Sequence, residues 1–492
     1  MRTQVLALCL ATLTLTGFSQ SSAVQQINKI VTADAALEPL FYLASDELMG
    51  RSPKRPEIEI AAKYISDNLK KAGVKSISGS NDYFQSFEII FTTSPKEGSL
   101  KVNDSTFTIG NELLQLGGED ISLTAPIVYA GFGNASDLES IDVKGKIVIT
   151  RFGSSDSSST GKGFSIIRAK QSALVAKGAI AMIELFWQKD APWEELQQHF
   201  GQERVVSKKD SIPVLILKGD LNFISSLKNT SHATLTTSGN NLKKVSAKNV
   251  IGYVEGTDAK LKDQYIVLSA HYDHIGVTAH PKTENGKTDS IFNGARDNAI
   301  GVTGVINAAR YFAKYPPKRS ILFILYTGEE LGLVGSKYFS EHPLVPLNKM
   351  VYNLNIDNGG YNDTTIVTVV GLGRTSADDD IVKACAEYGV KPIPDPMPEQ
   401  NLFDRSDNLS LAVKGVPAPT FGMGVTAFDG EIMKYYHQLA DEAASMNTRY
   451  ALKYVRSYVL TAKYIADNPM QPLWKKDDKY EAAWIKLFGL EK

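Results

Sequence analysis

Between residues 270 and 440 the chain carries, in order, His271-Tyr272-Asp273, Asp297-Asn298, Glu329-Glu330, Asp357 and Tyr436-His437. Imidazole nitrogen and carboxylate oxygen are donors that zinc accepts, and a catalytic zinc keeps one position open for water. The adjacent carboxylates of Glu329 and Glu330 suggest that one holds metal while the other moves protons. The chemistry this implies is metal-assisted hydrolysis. Each station has a plainer reading by itself: His271 as a satisfied strand-end histidine, Asp297 as a helix N-cap, and Glu329-Glu330 as the start of a helix. Their joint occurrence favours one site. Asp273, two residues after His271, is placed to accept the second imidazole proton, and Asp297 has two oxygens with which to bridge a pair of metals.

The elements that must position these groups alternate. From residue 250 onward apolar strands are expected over 264–270, 321–326 and 352–356, with helices over 301–315 and 335–340. Short apolar strands alternating with helices imply a buried, mostly parallel sheet of the doubly wound α/β class. In such sheets ligands bind beyond the carboxyl ends of the strands. Every station except Tyr436-His437 falls there. Further upstream, 35–44 and 57–72 have helical spacing, the second with Ile60, Tyr64, Ile65, Leu69 and Ala72 on one side and Gly73 as its stop. Residues 83–91 read as a strand. A different texture, of short strands punctuated by Gly, Pro and a Ser-rich loop, runs through 118–245 and suggests a compact β-rich or α/β insert. His199 and His232 within it read as surface residues.

The bounds are those of an exported soluble protein. At 492 residues, with 43% hydrophobic and 22% charged residues, the chain exceeds one ordinary domain. A formal net charge of -1 gives no general attraction to nucleic acid or to an anionic membrane. Residues 1–23 have the form of a signal peptide, with Arg2, an apolar stretch too short to span a bilayer, and cleavage sites at Gly17-Phe18-Ser19 or Ser21-Ser22-Ala23. Periplasmic or extracellular location is the expectation, with no membrane span. Cys9 lies in that signal, so Cys385 would stand alone after processing and reads as a small buried hydrophobe. The tail after Pro469 is expected to wrap the surface, anchored by Trp474 and Trp484.

Taken together, Ala270-His271-Tyr272-Asp273-His274, the run from Gly294 to Ala299, the run from Gly328 to Ser336, Asn355-Ile356-Asp357, Arg405-Ser406-Asp407 and Tyr436-His437 resemble the co-catalytic zinc aminopeptidases of the bacterial aminopeptidase S and vacuolar aminopeptidase Y type. The stretch from Leu43 to Arg51 is similar to the same group. Gly131-Phe132-Gly133, Asp142 to Lys146 and Ala176 to Ala179 resemble a protease-associated domain. The resemblance implies a zinc exopeptidase fold with that insert, divided as signal 1–23, catalytic part 24–117, insert 118–245, catalytic part 246–470 and tail 471–492. It implies two zinc ions held by His271, Asp297, Glu330, Asp357 and His437, with Asp297 as the bridge. It also implies Glu329 as general base, Asp273 as the group that orients His271, Tyr436 as a stabiliser of the oxyanion, and a peptide as substrate. Glutaminyl-peptide cyclotransferases, carboxypeptidase-like enzymes and non-catalytic receptors share this fold and are the alternatives. Departures from the pattern at Arg296, Ile300, Asn408, Leu411 and 52–56 leave the metal and base stations intact. Those at Arg296, Ile300, Asn408 and Leu411 bear on the substrate pocket, so no side-chain preference is carried over, whereas the one at 52–56 affects a loop.

Overall fold

All seven residues of Ser320–Tyr326 are buried, as a run without polar alternation must be if helices cover both faces of its sheet. The computed structural model of this chain describes residues 21–77, 82–116, 119–155, 160–187, 192–206, 212–225, 227–228, 231–284 and 286–490. The expected signal therefore lies outside the described residues up to residue 20. Two compact units result: the described residues of Met1–Ser86 with Lys248–Lys492, and Phe87–Ala247.

The first unit contains α1 (Glu57–Ala72), the part of β1 (Leu242–Val254) from Lys248 onward, β2 (Tyr265–His271), α2 (Ile300–Lys314), β3 (Ser320–Tyr326), α3 (Val334–Glu341), β4 (Met350–Ile356), β5 (Ile366–Val370), α4 (Asp378–Glu387), β6 (Lys391–Ile393), β7 (Thr420–Met423), α5 (Thr448–Asp467) and α6 (Glu481–Phe488). Seven strands of the main sheet run in the order β6-β5-β7-β4-β2-β3-β1, and Gly276–Glu284 with Lys287–Phe292 form a separate antiparallel pair. The pairs β4-β2, β2-β3, β4-β7 and β5-β6 are parallel, whereas β3-β1 and β5-β7 are antiparallel. The sheet is thus mixed, and its centre is the parallel triplet β4-β2-β3.

Register makes that triplet a platform. His271 lies opposite Tyr326 on one side, and Ala270 lies opposite Ile356 on the other. Three strands therefore end at one level, and the residues that follow them emerge together.

Helix α5 seals the sheet with tyrosines spaced four apart. The hydroxyls of Tyr450, Tyr454 and Tyr458 donate to the carbonyls of Ile366 (2.6 Å), Phe421 (2.7 Å) and Leu354 (2.9 Å). Each buried hydroxyl thus finds a partner, which removes the penalty of burying it. In α1 the structure corrects one member of the expected face, Ile60; Ile65 and Leu69 are buried as expected, and Tyr64 and Ala72 pack partly buried against the core. Ile58, Ala61, Ala62, Ile65 and Leu69 are buried, whereas Ile60 is 49% exposed. The spacing 58, 61, 65, 69 follows the helical repeat more closely than a stripe begun at Ile60. Gly73 ends α1 in the left-handed conformation, as expected. The 35–44 helix is two pieces, Ala33–Ala36 and Glu38–Leu43, divided ahead of Pro39.

The unit Phe87–Ala247 begins earlier than 118. Strands Glu97–Val102, Ser105–Thr108 and Leu113–Gln115 belong to its sheet: the first pairs with Ser105–Thr108 and with His232–Ser238, and Leu113–Gln115 pairs with Val214–Lys218 at the opposite edge. The inner strands Ser122–Tyr129, Ile147–Arg151, Ala181–Phe186 and Val214–Lys218 pair in parallel, and the helix Thr160–Ala176 belongs to the same unit. The unit is therefore α/β rather than purely β-rich. Its His199 and His232 are exposed.

Candidate metal centre

The five stations meet at the carboxyl end of the central triplet. His271 is the last residue of β2, Asp357 follows β4 directly, and Glu329 and Glu330 follow β3 after Thr327-Gly328. Asp297 comes from the turn between Gly294 and α2. His437 arrives on a later loop with φ 54, in the left-handed region unusual for a residue with a side chain.

Asp297 is the pivot. Its Oδ1 stands 3.3 Å from His271 Nε2, which is 3.2 Å from Asp357 Oδ1. Its Oδ2 stands 3.1 Å from His437 Nε2, which is 3.3 Å from Glu330 Oε2. The two oxygens of one carboxylate thus face two imidazoles, each with a further carboxylate of its own. Either set of donors could hold a cation.

One member is additional to the expected ligands. His274, fully buried, places Nδ1 2.7 Å from Glu330 Oε1 and 4.0 Å from Asp297 Oδ2. Asp297, Glu330 and His274 form a compact trio of donors alongside the trio of His271, Asp297 and Asp357. Its spacing three residues beyond His271 was visible in the sequence. Nothing in that spacing said that the chain would turn its ring back beneath the site. Gly294 makes the approach possible, because a Cβ there would lie 2.6 Å from the His274 ring and 2.3 Å from the Asp297 carbonyl oxygen.

The carboxylate of Asp273 is less directly engaged with His271 than expected. His271 Nδ1 lies 3.2 Å from the backbone carbonyl oxygen of Asp273 and 3.8 Å from its carboxylate. Asp273 Oδ1 instead accepts the backbone N–H of Glu329 at 3.2 Å. It fixes the β3 loop against the β2 end, and the main chain accepts the imidazole proton.

The electrostatics follow from crowding acids in a buried space. Burial pushes Glu329 well above the usual carboxylate range, assisted by Asp357, Asp407 and Glu330 and opposed by His271. Burial likewise raises Asp273 to about 6 and Asp407 to about 7. For Glu330, burial and Asp297 push upward, and hydrogen bonds from His274 and His437 more than offset them. Burial also favours neutral imidazoles. The neighbouring carboxylates outweigh it, holding His271 well above its ordinary value and His437 at about 10.

Two buried arginines frame the site without neutralising it at close range. Arg51 donates to the backbone carbonyls of Leu43, Tyr272, Asn293 and Gly294. Arg296, one of the departures, pairs with Asp441 at 2.9 Å and lies 3.6 Å over the Tyr435 ring. Asp441 in turn accepts the backbone N–H of Asp297 at 3.2 Å, so Arg296 braces the pivot from behind.

Beside the acids opens a cavity with an apolar side that includes Val370, Met397, Leu402, Met423, Val425 and Phe428. Tyr436 and Arg405 stand at its edge, with Arg405 Nη2 donating to the Tyr436 hydroxyl at 3.4 Å. Tyr436 stacks on His437 with ring centroids 4.2 Å apart. A Cβ at Gly359 would meet the Tyr436 ring at 2.8 Å. None of Arg296, Ile300, Asn408 or Leu411 is among the lining residues. The departures expected to bear on the substrate pocket thus lie outside the lining of this cavity. Asn408 donates instead to the carbonyls of Phe403 and Ala418, and Leu411 is core.

With this geometry in view, residues 249–460 match the description Peptidase family M28. That stretch, less than half of the chain, is similar to the M28 peptidases. All five expected metal stations, together with Glu329 and Tyr436, lie within it. Aminopeptidase YwaD of Bacillus subtilis is 25% identical over 243 residues, 49% of this chain and 45% of that protein. A vacuolar membrane protease of Lodderomyces elongisporus is 29% identical over 144 residues, covering 28% of this chain and 13% of the relative. The chain thus spans less than half the length of these curated relatives. An aminopeptidase from Aneurinibacillus sp. strain AM-1 superposes with TM-score 0.50 at 19% identity, covering 92% of this chain and 98% of that one, and it shares the fold. No helix among the described residues is long and apolar enough to cross a membrane.

Proposed function

We propose that this chain is an exported di-zinc aminopeptidase that releases amino-terminal residues from peptides. The observation that carries the reading is the splitting of Asp297 between His271 and His437. Nitrogen and oxygen donors without cysteine suit zinc. The fit is also electrostatic, because Asp297, Glu329, Glu330 and Asp357 line one cavity where Arg405 is the only lysine or arginine among the described lining residues. Buried carboxylates at this density call for cations.

Bound zinc would lower the pKa of water and polarise the scissile carbonyl. The side chains do the rest. Glu329, raised by burial, takes the proton of the attacking water and returns it to the leaving amine, a task that a carboxyl poised nearer neutrality performs better. The Tyr436 hydroxyl, pushed up to about 12 first by burial, stays protonated and donates to the developing oxyanion. The apolar flank accepts an apolar side chain of the residue to be released, since oriented binding beside the reacting groups is what a concave apolar pocket supplies.

Export rests on residues 1–23. Of its two cleavage sites, the one after Ser19 leaves Ser21, whose Oγ accepts the Val24 N–H and caps the helix Ser22–Ile30. We read Phe87–Ala247 as the protease-associated insert, on the motifs quoted for it and on its being a separate unit.

The test joins metal analysis to turnover of aminoacyl p-nitroanilides and of amino-terminal glutamine peptides. The expected result is about two zincs per chain with amide release. One zinc with pyroglutamate formation would mean a cyclotransferase instead. Glu329→Gln should keep its zinc and lose ~10²–10⁴-fold in kcat, the usual contribution of a general base. Wild-type turnover in that variant would remove the role assigned to Glu329.

A further inference from the structure

The Leu402–Arg405 turn has two sides. Leu402 and Arg405 line the cavity, and between them Phe403 and Asp404 meet a segment from beyond the M28-like stretch. Asp404 accepts Lys479 Nζ at 2.7 and 2.8 Å and the Tyr480 hydroxyl at 3.0 Å. The Phe403 ring lies 6.0 Å from that of Trp474 and 5.7 Å from that of Tyr480. Arg374 completes the cluster. Its guanidinium sits 4.0 Å over Phe403 and pairs with Asp478 through two hydrogen bonds of 2.7 and 3.0 Å.

The same segment is fixed independently of the turn. Trp474 is 1% exposed and donates its Nε1–H to the Gly415 carbonyl, while Ser376 N and Lys475 N bond to Leu473 O and Arg374 O. The tail is thus anchored on the core at 473–475 and reaches the turn at 479–480.

We propose that the C-terminal segment 473–480 sets the position of the Leu402–Arg405 wall and so the discrimination among substrate side chains, with Lys479 and Tyr480 as positioning residues. This rests on the aminopeptidase reading above. The wall belongs to an irregular segment, and such segments hold their place only through the contacts made to them. None of the metal stations belongs to this turn: His271, Glu330 and Asp357 sit at strand ends, Asp297 on the turn before α2 and His437 on its own loop. Loosening the clamp therefore alters the fit of a large side chain and leaves metal binding as it was. An N-terminal leucine, which reaches the wall, feels the change; an alanine does not.

The experiment compares full-length wild type with Lys479→Met/Tyr480→Phe, and separately with Asp404→Asn, which cuts the same clamp from the other side. Leucyl and alanyl p-nitroanilide are the probes, with zinc content measured on each protein. The expected result is a KM for the leucyl substrate raised roughly tenfold, in the range that pocket misfit of one methylene produces. The alanyl KM should stay within about twofold, zinc content should equal that of wild type, and Lys479→Arg should retain the wild-type ratio of the two KM values. An unchanged leucyl-to-alanyl ratio in both clamp variants, or an equal loss on both substrates, overturns the proposal and leaves the aminopeptidase reading standing. A wild-type protein that cleaves neither substrate refutes that reading and, with it, the role of the tail.

Discussion

Asp297 shows how much one side chain can decide. With its oxygens divided between His271 and His437, it converts two separate histidines into one centre. The histidines themselves carry a consequence for pH. Without metal, the surrounding carboxylates raise both, His437 to about 10 and His271 well above its ordinary value. A histidine whose folded pKa exceeds the unfolded value stabilises the folded state fully below about pH 6.5 and loses that contribution as pH climbs through the folded value. Zinc needs the neutral ring, so uptake at pH 7 must displace those protons. Titrating metal-free protein with zinc in buffers of different ionisation enthalpy should report release of about two protons per chain. His271→Ala should reduce both the protons released and the zinc bound; unchanged values in that variant would contradict its place as a ligand. His274 and Asp273 show the limit of reading residues by type. Each was visible as a motif member, yet which atom of each does the holding depends on how the chain turns after β2.

At the scale of elements, β4-β2-β3 is parallel and in register, which brings acids from three distant stretches to one level. Alternation of strand and helix foretold that arrangement, since apolar runs followed by turns and acids leave little else for a buried parallel sheet to do. Where burial is partial, the sequence is a weaker guide. Helix α1 offers a direct comparison, because Ile65 is fully buried and Ile60 is 49% exposed. Ile65→Ala should cost about 2–5 kcal/mol, and Ile60→Ala should stay within about 0.5 kcal/mol. Thermal melts of the two variants check this, and equal shifts would contradict the assigned face. Cys385 on α4 is a simpler case. It is buried, with its thiol pushed up to about 12 by burial, and reads the same from sequence and structure.

Across the whole molecule the acids of the centre are a standing cost unless cations offset them. Chelation should therefore lower the melting temperature of the catalytic unit, and zinc should restore it. At a free zinc concentration about a thousand times its Kd, the stabilisation would be about 4 kcal/mol. A melt indifferent to chelator, with metal loss verified, would show that the cluster tolerates its own charge. The sequence by itself determined the α/β class, the strand ends and the identity of the groups placed there. It could do so because hydrophobic periodicity and the punctuation of strands are local, and because ligand chemistry is set by residue type. Only the tertiary structure decided that the second unit starts at Phe87, that His274 joins Glu330, that Arg296 braces rather than borders the cavity, and that the tail meets the Leu402–Arg405 turn. Each of these is a contact between segments far apart in the chain, and such contacts are fixed by packing and register, which no local pattern encodes.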